Sequence, residues 1–166
     1  MNLNLMVIGI ILLVLGLSLY LSIPLYYPGY SSTNNIFKSN QGSVIVGPGQ
    51  TLVVKNISGK SGDALIFLTL NGNANVSLLT QSGQTIISQQ KEISVALNKS
   101  NYSVAIVNLD NKTTNITFTY GIFNAISISN FYYSLGILQT FLEIVTLAGG
   151  AMILWQVISW IVSRRK

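Results

Sequence analysis

Two apolar runs, Leu5 to Ile23 and Ile144 to Val162, lie near the two ends of a chain whose middle is polar and strand-like. Each is close to the roughly 20 residues that a helix rising about 1.5 Å per residue needs to cross a bilayer. That pairing narrows the choices to a membrane protein of α+β class. Two transmembrane helices flank an extracytoplasmic all-β sandwich, Ig-like or jelly-roll. The expected division is an N-terminal transmembrane signal anchor over 1–26, a linker over 27–42 and a sandwich over 43–123. A linker with an interfacial or extended helix follows over 124–143, then a transmembrane helix over 144–163 and a basic tail over 164–166.

The first run reads as a retained anchor rather than a cleaved signal. Its leading MNLN carries no Lys or Arg, its apolar stretch exceeds the usual 7–15 residues, and it exits through Ser22-Ile23-Pro24-Leu25-Tyr26 with no small-x-small cleavage pattern. Arg164, Arg165 and Lys166 directly follow the second run, so the positive-inside rule puts both termini in the cytoplasm and the central domain outside. Tyr20, Tyr26, Tyr27 and Tyr30 at the outer ends, and Trp155 and Trp160 near the inner end, match interfacial aromatic belts.

Counting back about 20 residues from Arg164 starts the hydrocarbon near Ile144. Glu143 then falls at the outer headgroups, with a role in a buried network as the alternative. Phe131 to Leu142, if helical and continuous with the span, would project up to about 18 Å beyond the bilayer and so would tilt, lie in the headgroups or touch a neighbouring subunit. Gln156 and Ser159 lie deeper and suit hydrogen bonds between helices. Gly9 and Gly16 share one helix face, and Gly149 and Gly150 form a small patch with Ala148 and Ala151. Such patches allow close backbone approach, either between these two helices or toward a partner.

Between the runs, eight short segments read as strands: 43–47, 51–57, 64–70, 75–80, 84–88, 92–97, 102–108 and 115–123. Apolar residues alternate, as at Ile93/Val95/Leu97, Tyr102/Val104/Ile106 and Ile116/Phe118/Tyr120/Ile122. Gly, Pro, Asn and Asp punctuate the breaks. ALIFLTL is apolar on both faces and reads as a central strand.

Charged residues make up only 8% of the chain, and the acids between Tyr26 and Asn130 are Asp63, Glu92 and Asp110. A surface hydrated by Asn, Ser, Thr and Gln hardly titrates, which suits an acidic exterior. Six Asn-x-Ser/Thr sequons, at Asn56, Asn75, Asn98, Asn101, Asn111 and Asn115, mark candidate N-linked glycan sites near strand ends and turns.

The chemistry is sparse. Without Cys or His there is no disulfide, no imidazole or thiolate metal site and no His-based triad. The net charge of +5 is scattered over lysines apart from the C-terminal cluster, unlike a nucleic-acid stripe. Asn71-Gly-Asn73-Ala-Asn75 alternates like a calcium loop but lacks carboxylates, and Gly47-Pro48-Gly49 is too short for a phosphate cradle. The reading is of a protein that is not an enzyme and needs no cofactor or metal.

VGPGQTLVV, ALIFLTLNGNANVSLLTQSGQTI and YSVAIVNLDNKTTNITFTY together resemble the small jelly-roll sandwiches of GOLD and pre-peptidase C-terminal type. The resemblance covers about 80 residues and rests on an opening Gly-rich strand, a strand ending in Ser-Gly-Gln and a late Tyr-x-Val strand before Asn. It lacks the cysteine pair and coiled coil of cargo receptors and has two anchors. The overall style resembles membrane proteins of thermoacidophilic archaea or their viruses. The leading functional expectation is a non-catalytic, glycosylated accessory subunit of a respiratory, transport or surface complex in the lipid bilayer, with other membrane subunits as partners. The alternatives are a self-assembling surface or viral envelope protein, and an adhesin or ligand-binding module.

Overall fold

A computed structural model describes residues 3–164. The chain falls into two compact units, one drawn from 1–31 and 131–166, the other from 32–130.

The second unit is built on eight strands: β1 (Gly42–Val46), β2 (Thr51–Gly59), β3 (Asp63–Thr69), β4 (Ala74–Thr80), β5 (Thr85–Gln90), β6 (Glu92–Leu97), β7 (Ser100–Asn108) and β8 (Thr114–Asn124). They form two antiparallel four-stranded sheets, in the orders β1-β8-β3-β6 and β2-β7-β4-β5. The first strand pairs with the last, and only β4 and β5 form a hairpin within one sheet; every other connection crosses between sheets. That is jelly-roll order, in contrast to the Ig order, whose first two strands are neighbours.

Period-two patterning explains why these segments fold this way. Ile93 and Leu97, Tyr102, Val104 and Ile106, and Ile116 and Phe118 all turn into one core with Leu65, Phe67, Val76 and Leu78. Phe67 stacks between Phe118 at 5.2 Å and Tyr120 at 6.1 Å. ALIFLTL becomes β3, an internal strand. Ile122 keeps step with Phe118 but is 37% exposed, because it lies near the end of β8 beyond the edge of the core.

The turns have local causes. Gly83 (φ +83°) closes the β4–β5 hairpin, where Thr80 N donates to Gln84 O at 2.8 Å. Lys91 (φ 68°) alone carries the chain from β5 to β6. Its N–H donates to Ala74 O and its carbonyl accepts from Thr69 N, so the strained residue is held from both sides.

The segment 27–42 is more than a linker. Residues Tyr30–Ser39 form helix α2, and β1 already begins at Gly42. Thr33, Ile36, Phe37 and Asn40 are half-buried at helical spacing. Thr119 Oγ1 donates to Phe37 O, and the Phe37 ring meets Phe123 at 5.5 Å, so α2 lies against the outer side of β8.

In the C-terminal third, the interfacial or extended helix expected over 124–143 is an extension of the helix expected over 144–163: helix α3 runs unbroken from Ala125 to Arg164. Nothing in 125–164 breaks a helix, since Gly136, Gly149 and Gly150 are tolerated and no Pro occurs. Asn124 caps it, its Oδ1 accepting from Ser127 N at 3.0 Å and Ser127 Oγ at 3.2 Å. The N-terminal helix α1 spans Leu3–Tyr26, with Pro24 in its last turn.

Candidate functional site

In the helical unit, α1 and α3 pack against each other along a seam of glycines. A Cβ on Gly9 would lie 3.0 Å from Gly149 O and from Met152 Cβ, and a Cβ on Gly149 would lie 2.6 Å from Gly9 O and 2.5 Å from Leu13 N. A Cβ on Gly16 would meet Thr146 Oγ1 at 2.5 Å and Leu142 O at 3.3 Å. Backbones can approach this closely only where side chains are missing. Gly150 is at the margin, its nearest neighbour being Leu13 Cδ1 at 3.7 Å. Farther along, Ile23 is buried with Leu135 and Leu142, and Tyr27 sets its ring edge-on to Phe131 at 5.5 Å and its hydroxyl on Phe131 O at 3.2 Å.

Contacts descend α1 as they climb α3, so the pair is antiparallel. By this register the apolar run 5–23 lies abreast of about 136–154 on α3. Tyr27, Phe131, Tyr132 and Tyr133 cluster at one end. Trp155 and Trp160 stand toward the other, where Arg164 Cζ lies 4.0 Å from the Trp160 ring centroid. Tyr133 and Trp155 are separated by about 33 Å of helix. Glu143 falls between them, about 15 Å from Tyr133.

Glu143 is exposed. With Leu17, Tyr20, Thr146 and Leu147 it lines a groove of about 430 Å³ on the flank of the pair. Thr146 Oγ1 donates back to Leu142 O at 2.8 Å. On the side of α3 away from α1, Tyr133, Gly136, Ile137, Thr140, Phe141 and Ile144 line a second, apolar hollow of about 540 Å³. A Cβ on Gly136 would touch nothing within 4 Å. Gln156 is buried and Ser159 exposed. Arg164 ends α3, while Arg165 and Lys166 lie outside the described residues.

The sequon asparagines all belong to the sandwich. Asn98 and Asn111 stand in turns; Asn101 and Asn115 are near strand starts, and Asn56 is within β2, where it accepts from Ser103 Oγ at 2.9 Å. These five are exposed. Asn75 differs: it is half-buried on the internal strand β4, and Ser77 of its sequon is buried and bonded to Ser88 Oγ at 2.8 Å. A shallow hollow of about 430 Å³ runs beside Asn56, Ser58, Gln81, Asn101 and Ser103. Asp63, Glu92 and Asp110 stay apart on the start of β3, the start of β6 and the β7–β8 turn. Among the described residues, no three acids gather in one place.

No family model matches the chain, and no curated protein does. Among solved structures it is similar to PliG of Aeromonas hydrophila, a periplasmic lysozyme inhibitor of g-type lysozyme, with 13% identity over 50% of this chain and 84% of that one and a TM-score of 0.42. It is similar to PirA at 12% identity, over 49% and 93% of the two chains, with a TM-score of 0.35. A protein of Bacillus endospore appendages, described as disulfide-linked pili, matches at 10% identity over 49% and 83%, with a TM-score of 0.32.

Proposed function

We propose that the chain is a non-catalytic accessory subunit of a membrane complex, anchored by α1 and α3 and holding the jelly roll outside the cell. The observation that carries this reading is how the helix pair uses its surfaces. Gly9, Gly16 and Gly149 are consumed in the contact between α1 and α3. The opposite side of α3, with Tyr133 at 72%, Ile137 at 54% and Phe141 at 60% exposure, is left open and hollowed at Gly136. A groove beside a bare glycine suits a neighbouring helix better than loosely packed lipid tails.

The aromatic ends support a bilayer position. About 33 Å of α3 between Tyr133 and Trp155 approximates the roughly 30 Å hydrocarbon thickness, and the apolar run of α1 lies abreast of the same stretch. In this position Phe131 to Leu142 no longer projects far into water. Most of it belongs to the span, and the final turns of α3 reach through the inner headgroups with Arg164 over Trp160. The C-terminal basic cluster supports cytoplasmic termini. N-linked glycans on exposed sequons would hydrate a surface with few charges.

The test is gentle extraction from native membranes, with intact-mass analysis of whatever accompanies the chain. The expected result is one or more different membrane subunits at fixed stoichiometry. A monomer in mild detergent, with no companion, contradicts the proposal.

A further inference from the structure

We propose that Glu143 is the docking point for a basic side chain, Lys or Arg, on a transmembrane helix of a different subunit. The inference rests on the bilayer position above and specifies the partner.

In that position Glu143 lies near mid-membrane, about 15 Å from the Tyr133 end and about 18 Å from the Trp155 end. It is too deep for its short side chain to reach either headgroup layer. An ionised carboxylate facing hydrocarbon is expensive, and acids kept in spans meet a partner. This chain offers no cation there. Residues 3–37 and 125–163 contain no Lys or Arg, and Arg164 is about 32 Å farther along α3. A second copy brings equally bare spans, so the cation belongs to another polypeptide.

The surface around Glu143 fits a helix. Gly136, Thr140, Glu143 and Leu147 recur at spacings of four, three and four residues, the seam of one helix packed along another. Gly136 has open space over its Cα, and Leu147 is 72% exposed. The groove beside Glu143, walled by Leu17, Tyr20 and Thr146, gives a long basic side chain room to lie along the seam while its charged end reaches the carboxylate. The seam faces away from Gly9, Gly16 and Gly149, so occupying it leaves the α1–α3 contact intact.

The test uses the full chain, fluorescently labelled and reconstituted in phosphatidylcholine vesicles. The probe is an apolar Leu/Ala transmembrane peptide with one central Lys. Comparison peptides carry Leu at that position or Lys displaced by two turns toward the end. Energy transfer is expected to report association with the central-Lys peptide about tenfold tighter than with either comparison. Glu143→Gln should abolish that preference, while Ser159→Ala should retain it. Equal association with all three peptides, or an unchanged preference in Glu143→Gln, overturns the inference. So does self-association of the chain that depends on Glu143. Alkaline carbonate extraction of the same vesicles separates the two levels. A chain that stays in the lipid without discriminating Lys refutes this docking point alone, whereas a chain released by carbonate refutes the bilayer position and this inference together.

Discussion

Gly149 and Gly9 meet backbone to backbone: a Cβ on Gly149 would stand 2.6 Å from the Gly9 carbonyl oxygen. The neighbouring Gly150 has no such constraint, its nearest atom being Leu13 Cδ1 at 3.7 Å. The two positions should therefore respond oppositely. Gly149→Leu is expected to force the helices apart, at a cost of about 1–3 kcal/mol. Gly150→Ala should be neutral or stabilising, since Ala favours the helix. Thermal unfolding in detergent, followed by helix circular dichroism, compares the two.

Asn108 ties the loops at one end of the sandwich. Its side chain is fully buried, and its Nδ2 donates to Val46 O and Lys112 O, both at 2.8 Å. Its Oδ1 accepts from Asp110 N at 2.9 Å. Replacing it with Leu strands the buried Val46 carbonyl and takes the partner from the part-buried Lys112 carbonyl and Asp110 N–H. Asn108→Leu should lose about 2–4 kcal/mol. Denaturant unfolding, read from the sandwich β signal, checks this; a midpoint unchanged within error contradicts it.

The six sequons are not equivalent acceptors. Asn98 and Asn111 are exposed in turns, whereas Asn75 lies half-buried on internal strand β4 with its serine bonded to Ser88. If the sandwich is outside, glycopeptide mass spectrometry should find sugar at Asn98 or Asn111 and an unmodified Asn75. The Asn111→Gln variant should lose a glycan mass; Asn75→Gln should not.

Few groups of the sandwich titrate in acid. Asp63, Glu92 and Asp110 are its carboxylates, and the chain has no His. Linkage between stability and pH scales with the protons taken up on unfolding, so three acids set a low ceiling. The midpoint of sandwich unfolding should shift by no more than a few degrees between pH 6 and pH 3. A steep fall over that range contradicts the idea of a surface suited to acid.

The strands were legible because their apolar residues alternate and their turns are chemically marked. Tyr102/Val104/Ile106 and Gly83 illustrate the two signals. Helix α2 was not. Tyr30–Ser39 is mostly Ser, Thr and Asn, weak helix formers that read as a linker, and contact of Phe37 with Thr119 and Phe123 helps to hold it against β8. In the bilayer position proposed above, Glu143 sits deeper than a count from Arg164 places it. Counting inward from Arg164 treats the C-terminal helix in isolation, whereas the glycine register sets α1 against residues several turns earlier.

Residue order alone determined the two apolar ends, the eight strands and the scarcity of charge, because these depend on local periodicity and composition. Only the tertiary structure decided that β1 pairs with β8 in a jelly roll and that α1 and α3 spend their glycines on each other. Both depend on which distant surfaces fit together, and alternating or apolar residues are compatible with many partners until packing selects one.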